Sequence, residues 1–308
     1  MGCLVRSIGC AILLLAAAIA ARRLIERPAP IPPPATGEKD VVVDGVRWRS
    51  RESPGHGPVT VVYVHGLLST SAAWKRALGP ASAGLPAVAV DLPGFGLSDR
   101  PWPYDYTVPG QAQHLLRYLD TRGFERVVLV GNSLGGAVSL VAAASQPRRV
   151  EALVLVGAAS PVATIPWNFR LLRVPVIGEL EMELLIRPVM EFGLRYRLFG
   201  RPDRVTQEEV DEDWTSVRVP GTRRAALAAV RSSRRGYEDL LGRIHVRTLV
   251  LWGKEDKILP PEEGLRLATE IPGARLVILP DTGHLPQEET PDEFSRAVAQ
   301  FLEEASRR

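Results

Sequence analysis

The sequence has very little cysteine. Its two cysteines, Cys3 and Cys10, lie within the first ten of 308 residues, so the remaining chain can form no disulfide, no cysteine-ligated metal site and no cysteine nucleophile. Histidine is also scarce, with five residues and no pair at His-x-x-x-His spacing. Zinc sites commonly use such pairs, and we therefore predict neither a metal nor any other cofactor.

The chain also lacks a strong excess of charge. It has 38 Lys and Arg residues against 35 Asp and Glu residues, a formal net charge of +3, and the two signs are interspersed. Nucleic-acid binding is therefore not expected. With 45% hydrophobic residues, the chain is long enough for one large α/β domain with an insertion.

Residues 1–27 differ in composition from the rest. The apolar run Ile8–Ala21 follows Arg6 and precedes further arginines, which is typical of a signal anchor or of a signal peptide cleaved near Ala20. An anchor predicts attachment to a membrane through this segment. Both an anchor and an export signal predict a location in the cell envelope rather than the cytoplasm. Residues 28–38 form a proline-rich linker, predicted to be a stiff spacer.

Strand and helix patterns alternate over residues 39–159 and 237–308. Short apolar, β-branched runs such as Val59–Val64 precede segments with helical spacing. This alternation predicts a mostly parallel central sheet flanked by helices. Residues 160–236 break the rhythm with an irregular helical pattern. We interpret them as a helical cap over the carboxyl ends of the strands, where open α/β sheets bind ligands.

The motif Gly131-Asn132-Ser133-Leu134-Gly135 lies between a predicted strand and a predicted helix. A serine on such a turn is held in a strained conformation that exposes its hydroxyl, and flanking glycines avoid collisions of a Cβ. Ser133 is therefore the candidate nucleophile. The backbone N–H of Leu134, at the start of the helix, is a candidate oxyanion donor.

A serine nucleophile needs a base and a partner that orients the base. His284 lies in the loop after the last predicted strand and is the candidate base. Asp256 follows the preceding predicted strand and is the candidate acid, whereas Asp281 is a weaker rival because it is too close in sequence to His284. The second oxyanion donor is the N–H of Leu67, with His65 expected to support this loop.

Two features of the cap concern the substrate. Trp167 and Phe169 are predicted either to line an apolar substrate pocket or only to pack within the cap. Six arginines between Arg218 and Arg235, with no acidic residue among them, form either a solvated helix face or a site for anionic lipid headgroups.

Together, these motifs resemble the α/β-hydrolase superfamily in its capped branch. Further resemblance is carried by the loop Asp91–Asp99 and by Trp252–Asp256, and it extends over residues 40–305. The resemblance implies a catalytic triad in the order Ser133, Asp256, His284, with oxyanion donors Leu67 and Leu134. Relatives that open epoxides or remove halides use an aspartate where this chain has Ser133.

The most direct expectation is a serine hydrolase that cleaves an ester of a small or lipid-like molecule through an acyl-enzyme. Three alternatives stay open. One is a serine perhydrolase resembling haloperoxidases. Another is a carbon–carbon bond hydrolase, although such enzymes typically carry Gly-Pro-Gly where this chain has Leu67-Leu68-Ser69. The third is a non-catalytic ligand-binding protein of the same fold.

Overall fold

The computed structural model describes residues 28–161, 163–164, 167–232, 237 and 239–306. In this part of the chain the strands form one eight-stranded sheet in the order β1-β2-β4-β3-β5-β6-β7-β8. Only β2 runs opposite to the other strands, antiparallel to both β1 and β4, which confirms the predicted, mostly parallel α/β sheet. The strands are β1 (Glu38–Val43), β2 (Val46–Ser53), β3 (Val59–Val64), β4 (Ala87–Val90), β5 (Arg126–Asn132), β6 (Val150–Val156), β7 (Arg247–Gly253) and β8 (Arg275–Leu279).

Helices cover both faces of the sheet. On one face lie α1 (Val108–Thr121), α2 (Leu134–Ser145) and α8 (Pro261–Glu270), and on the other α10 (Pro291–Ser306). In β3, Val62 and Val64 pack on the first face, while Val61 and Tyr63 pack on the second. Burial on both faces explains why the strands are continuous apolar runs rather than alternating ones.

The segment between β6 and β7 contains the helices of the cap. Its last helix packs into the main core through Ala225 and Leu227, whereas Phe199 and Val210 form a separate small core with Leu285 of the α/β domain. The cap is therefore joined to the domain by apolar contacts at two places. Its helices are α3 (Trp167–Leu172), α4 (Ile177–Leu184), α5 (Arg187–Gly193), α6 (Gln207–Arg218) and α7 (Thr222–Ser232), and a π-helical turn follows α5 at Leu194–Leu198. The short helix α9 (Pro286–Glu289) belongs to the α/β domain.

The proline-rich segment lies against the domain instead of standing away from it. Ala29 is buried, and its N–H donates to the carbonyl oxygen of Arg218 at 3.3 Å. Arg49 donates to the carbonyl oxygen of Pro32 at 2.8 Å. The predicted anchor or signal segment, residues 1–27, lies outside the described residues. Within the described ranges, no helix is both long and apolar enough to cross a membrane.

The arginines between 218 and 235 are engaged within the fold wherever the structure describes them in detail. Arg231 binds both carboxylate oxygens of Glu179 at 2.8 Å, and the guanidinium of Arg224 lies 4.3 Å from the ring centre of Trp102. These contacts favour the reading as a helix face that packs against its neighbours over the lipid-headgroup reading. Arg234 and Arg235 lie outside the described residues.

Candidate active site

Ser133 lies at the sharp turn from β5 into α2. Its backbone has φ 51° and ψ −115°, an unusual conformation for a residue with a side chain. The turn is so tight that a Cβ on Gly131 would lie 2.3 Å from the carbonyl oxygen of Gly135, and one on Gly135 would lie 2.1 Å from that of Val64. Glycine is therefore required on both sides of the serine, as predicted from the sequence.

Asp256 and His284 form a buried pair at the ends of β7 and β8. His284 Nδ1 lies 2.7 Å from Asp256 Oδ2, and the side chains are 3% and 0% exposed. The other oxygen of Asp256 accepts the N–H groups of Ile258 and Leu259 at 2.8 and 2.9 Å. The carboxylate is thus fixed, and Nε2 of the imidazole is the nitrogen left for a reacting group.

Gly157, at the end of β6, is a site residue that the sequence analysis missed. It has φ +48°, and a Cβ on it would lie 3.1 Å from His284 Nδ1 and 3.4 Å from Asp256 Oδ2. A glycine is therefore needed at position 157 so that His284 and Asp256 can lie this close to the end of β6. The only signal in the sequence is a glycine directly after a buried strand.

Leu67 and Leu134 line one cavity together with Ser133. Leu134 is the first residue of α2, where backbone N–H groups have no partner within the helix. Such groups are available to an oxygen that becomes negatively charged beside Ser133. The structure thus places both candidate donors at the candidate nucleophile.

His65 supports the loop that carries Leu67. Its Nδ1 lies 2.7 Å from the carbonyl oxygen of Gly66, and its Nε2 accepts the N–H of Leu92 at 3.1 Å. Because Nε2 accepts, Nδ1 carries the proton and donates. Burial lowers the pKa of His65, an effect that the carboxylate of Asp91 opposes. The imidazole is therefore a neutral support with both nitrogens engaged.

The cavity beside Ser133 is mostly apolar, and we call it the apolar cavity. Phe169 lines it, whereas Trp167 is the first residue of α3 and its side chain is outside the described part. None of the described lining residues is charged. Apart from Ser133, Leu67 and Leu134, the lining comprises Ala159, Ser160, Ala163, Thr164, Phe169, Ala229, Val230, Tyr237, Ile258 and Leu259.

A second cavity, the cap cavity, also reaches Ser133 and His284. Its outer wall comes from the cap, including Leu185, Val189 and Met190. It differs from the apolar cavity in having ionisable lining residues, Arg197 and Asp213. Ser133 thus lies between an apolar cavity and a cavity with both apolar and polar lining residues. This arrangement suits a substrate that has an apolar part and a more polar part on either side of the bond to be cleaved.

Glu289, in α9, is a second residue that the sequence analysis missed. Its side chain is fully buried and accepts three backbone N–H groups: Gly283 at 2.6 Å, Gly200 at 3.0 Å and Arg201 at 2.7 Å. Gly283 precedes His284, whereas Gly200 and Arg201 belong to the cap. One carboxylate therefore joins the loop of the candidate base to the cap.

Comparison with known proteins agrees with this fold. The family described as "alpha/beta hydrolase fold" matches residues 59–291. The chain is 31% identical over 254 residues to a 2-hydroxy-6-oxo-6-phenylhexa-2,4-dienoate hydrolase of Comamonas testosteroni, covering 79% of this chain and 87% of the relative. It is 30% identical over 274 residues to a 2-hydroxy-6-oxo-2,4-heptadienoate hydrolase of Pseudomonas putida, covering 85% and 95%.

A solved structure gives the same result. The 2-hydroxy-6-oxo-6-phenylhexa-2,4-dienoate hydrolase of Rhodococcus superposes with a TM-score of 0.73 and 25% identity, covering 86% of this chain and 98% of that one. The names of these relatives describe hydrolases of dienoates, which matches the carbon–carbon bond alternative kept open above. On its family match and its fold, the chain belongs to the α/β-hydrolase family.

Proposed function

We propose that the protein is a serine hydrolase that cleaves carboxylic esters with an uncharged, apolar acyl group. The observation that carries the proposal is the apolar cavity, which opens on Ser133 and has no charged residue in its described lining. An acyl chain there would leave water for apolar surroundings, which is favourable. A charged acyl group would lose its hydration there without gaining an opposite charge.

In the proposed reaction, His284 takes the hydroxyl proton while Ser133 Oγ bonds to the ester carbonyl carbon. The N–H groups of Leu67 and Leu134 hold the oxyanion, and one such donor typically contributes about 3 kcal/mol. His284 then gives the proton to the leaving alkoxy oxygen as the carbon–oxygen bond breaks. Water, activated by His284, releases the acid from Ser133. Asp256 holds the imidazole in the required tautomer throughout.

The second candidate is carbon–carbon bond hydrolysis, and the similarity to dienoate hydrolases supports it. Those names describe carboxylate substrates. Apart from His284, the only basic side chain in the described lining of the two cavities at Ser133 is Arg197, in the cap cavity. Asp213 also lines the cap cavity. Burial and the neighbouring carboxylates raise the pKa of Asp213 to about 8, so a substrate carboxylate in the cap cavity would face Arg197 and a mostly neutral carboxyl group. We favour the ester because the apolar cavity beside Ser133 has no charged residue in its described lining.

The test compares the two substrate classes on the full-length protein. We expect p-nitrophenyl butyrate to be hydrolysed with a higher kcat/KM than 2-hydroxy-6-oxo-6-phenylhexa-2,4-dienoate. Ser133→Ala should abolish both this hydrolysis and labelling by a fluorophosphonate probe, with the circular dichroism spectrum unchanged. Faster turnover of the dienoate would replace the ester proposal with its alternative. Undiminished ester hydrolysis by Ser133→Ala would rule out the serine mechanism.

A further inference from the structure

The cap exposes a concentration of large apolar side chains. In the described chain, twelve such side chains are exposed, and eight of them lie between residues 171 and 196. Val176 is 77% exposed and Phe192 is 59% exposed. Soluble monomers rarely expose clustered apolar side chains without a function for them. We call this set the cap face: Leu171, Val174, Val176, Ile177, Leu184, Val189, Phe192 and Tyr196.

The elements that carry the cap face are neighbours. Helix α3 packs against α4, and α5 continues directly into the π-helical turn. Across that junction the rings of Phe192 and Tyr196 lie with their centres 4.9 Å apart. The exposed side chains are therefore concentrated in four consecutive elements of the cap rather than at positions scattered along the described chain.

The cap face adjoins the cap cavity. Val189 belongs to both. Met190 and Gly193 line the cavity from the same helix, α5, and Leu185 lines it from the connection between α4 and α5. This cavity reaches Ser133 and His284. A molecule that enters between these residues would therefore pass from the cap face to the candidate nucleophile without crossing the domain.

The charges beside the cap face are compatible with a surface of negative potential. Three of the four acidic groups there are held by arginines: Glu179 by Arg231 at 2.8 Å, Glu191 by Arg195 at 3.0 Å and Glu183 by Arg223 at 4.0 Å. Arg197 follows Tyr196 and lines the cap cavity. Cationic side chains at the margin of an exposed apolar surface suit the headgroups of anionic lipids.

The first described residues of the chain lie beside the cap. Ala29 is held at the end of α6 by its bond to the carbonyl oxygen of Arg218, and α6 packs against α5 of the cap. The apolar run Ile8–Ala21 ends eight residues before Ala29. Eight residues span at most about 28 Å, even in a fully extended chain.

We propose that the cap face docks onto a lipid bilayer and presents the mouth of the cap cavity to it. The substrate of the ester hydrolysis proposed above is then an ester that resides in the bilayer. Its apolar acyl chain would pass from the membrane into protein without full exposure to water. This inference rests on the proposed function for its substrate, whereas the docking itself does not depend on which bond is cleaved.

Docking is tested by fluorescence quenching on the full chain with Cys3→Ser and Cys10→Ser. A fluorophore is attached either at Phe192→Cys on the cap face or at Leu265→Cys, which is 56% exposed on α8 of the α/β domain. The protein is bound to vesicles of phosphatidylcholine and phosphatidylglycerol whose acyl chains are brominated. We expect the label at position 192 to be quenched at least about threefold more than that at 265. Equal quenching at the two sites would overturn the proposal.

The kinetic test compares a variant with Val176→Glu and Phe192→Glu, neither of which lines the apolar cavity or the cap cavity, with the control Leu265→Glu. We expect the cap-face variant to hydrolyse an ester presented in vesicles about tenfold more slowly than wild type. Its rate on soluble p-nitrophenyl butyrate, and both rates of the control, should stay within about twofold. Equal losses on vesicle-borne and soluble esters would refute docking.

Two further outcomes separate the proposals. If the wild type hydrolyses no ester, the proposed function fails, while the quenching experiment still decides docking. If the label at position 192 shows concentration-dependent self-quenching in detergent and no quenching by brominated lipid, the cap face pairs with a second copy of the chain. That outcome also overturns membrane docking.

Discussion

Replacing Glu289 tests how the cap controls the loop of the candidate base. Glu289→Gln keeps the size of the side chain but removes its charge and one acceptor oxygen. In the native structure both oxygens accept backbone N–H groups, two on Oε2 and one on Oε1. A glutamine can satisfy the N–H groups on one side only, and its NH2 group then faces the remaining N–H.

The expected magnitude follows from these contacts. Hydrogen bonds to a charged group each contribute about 1.5–3 kcal/mol, and those to a neutral amide about 0.5–1.5 kcal/mol. Losing the charge and leaving one buried N–H unsatisfied should destabilise the fold by roughly 2–4 kcal/mol. For a domain of this size, that lowers Tm by roughly 5–15 °C.

The effect on activity should appear in kcat. Gly283, which donates to Glu289, precedes His284, so loosening this contact misplaces the imidazole. Small displacements of a catalytic group can lower rates by about 100-fold. We expect a kcat on p-nitrophenyl butyrate reduced about 10- to 100-fold at a temperature where the variant is folded, with KM nearly unchanged.

The matched control is Glu293→Gln, because Glu293 is exposed on α10, four residues further along the chain. Thermal unfolding followed by circular dichroism, together with steady-state kinetics, gives both quantities. A Glu289→Gln variant with the Tm and kcat of the control would refute the inferred role of Glu289 in holding the loop and the cap together.

Three further results are expected. Asp256→Asn should lower kcat on p-nitrophenyl butyrate by about 10⁴-fold, because the amide stabilises the wrong tautomer of His284; a loss of less than about tenfold would argue against the pair. Ala229→Phe should fill the apolar cavity and reduce kcat/KM for octanoate esters more than for acetate esters, and an unchanged ratio would place the acyl group elsewhere. Burial and the carboxylates nearby raise the pKa of Glu288 well above its usual value, so the contribution of this residue to native stability falls as the pH rises above about 4.3. Glu288→Gln should therefore raise Tm at about pH 8 and change it little at about pH 4, whereas a lower Tm at pH 8 would contradict this.

The meeting of Asp256 and His284 was predictable because each follows a strand. The carboxyl ends of the parallel strands β7 and β8 lie at one edge of the sheet, so residues that are 28 positions apart come into contact. The tight turn at Ser133 was predictable for a similar reason, since its two glycines are adjacent in sequence to the strained position. The local sequence pattern and the topology of a parallel sheet are sufficient to predict where these residues lie.

The role of Glu289 could not be predicted in this way. Three polar residues, Gln287, Glu288 and Glu289, follow one another, and their pattern gives no sign that all are buried. The N–H groups that Glu289 accepts from the cap are 88 and 89 residues away and reach it only through the docking of the cap. The packing of the proline-rich segment is likewise decided by the distant residues Arg49 and Arg218 rather than by its own stiffness.

The place where the cap enters the chain has an evolutionary consequence. It leaves the sheet after β6 and returns at β7, and these two strands are direct neighbours. The ends of the insertion are therefore held together by the sheet itself, and the entropic cost of closing this loop grows only slowly with its length. Caps of different size and surface can be exchanged at this point while Ser133, Asp256 and His284 keep their positions. An exchanged cap can in this way change which substrates a hydrolase of this fold binds, or whether it takes them from water or from a surface, while the reactive residues stay in place.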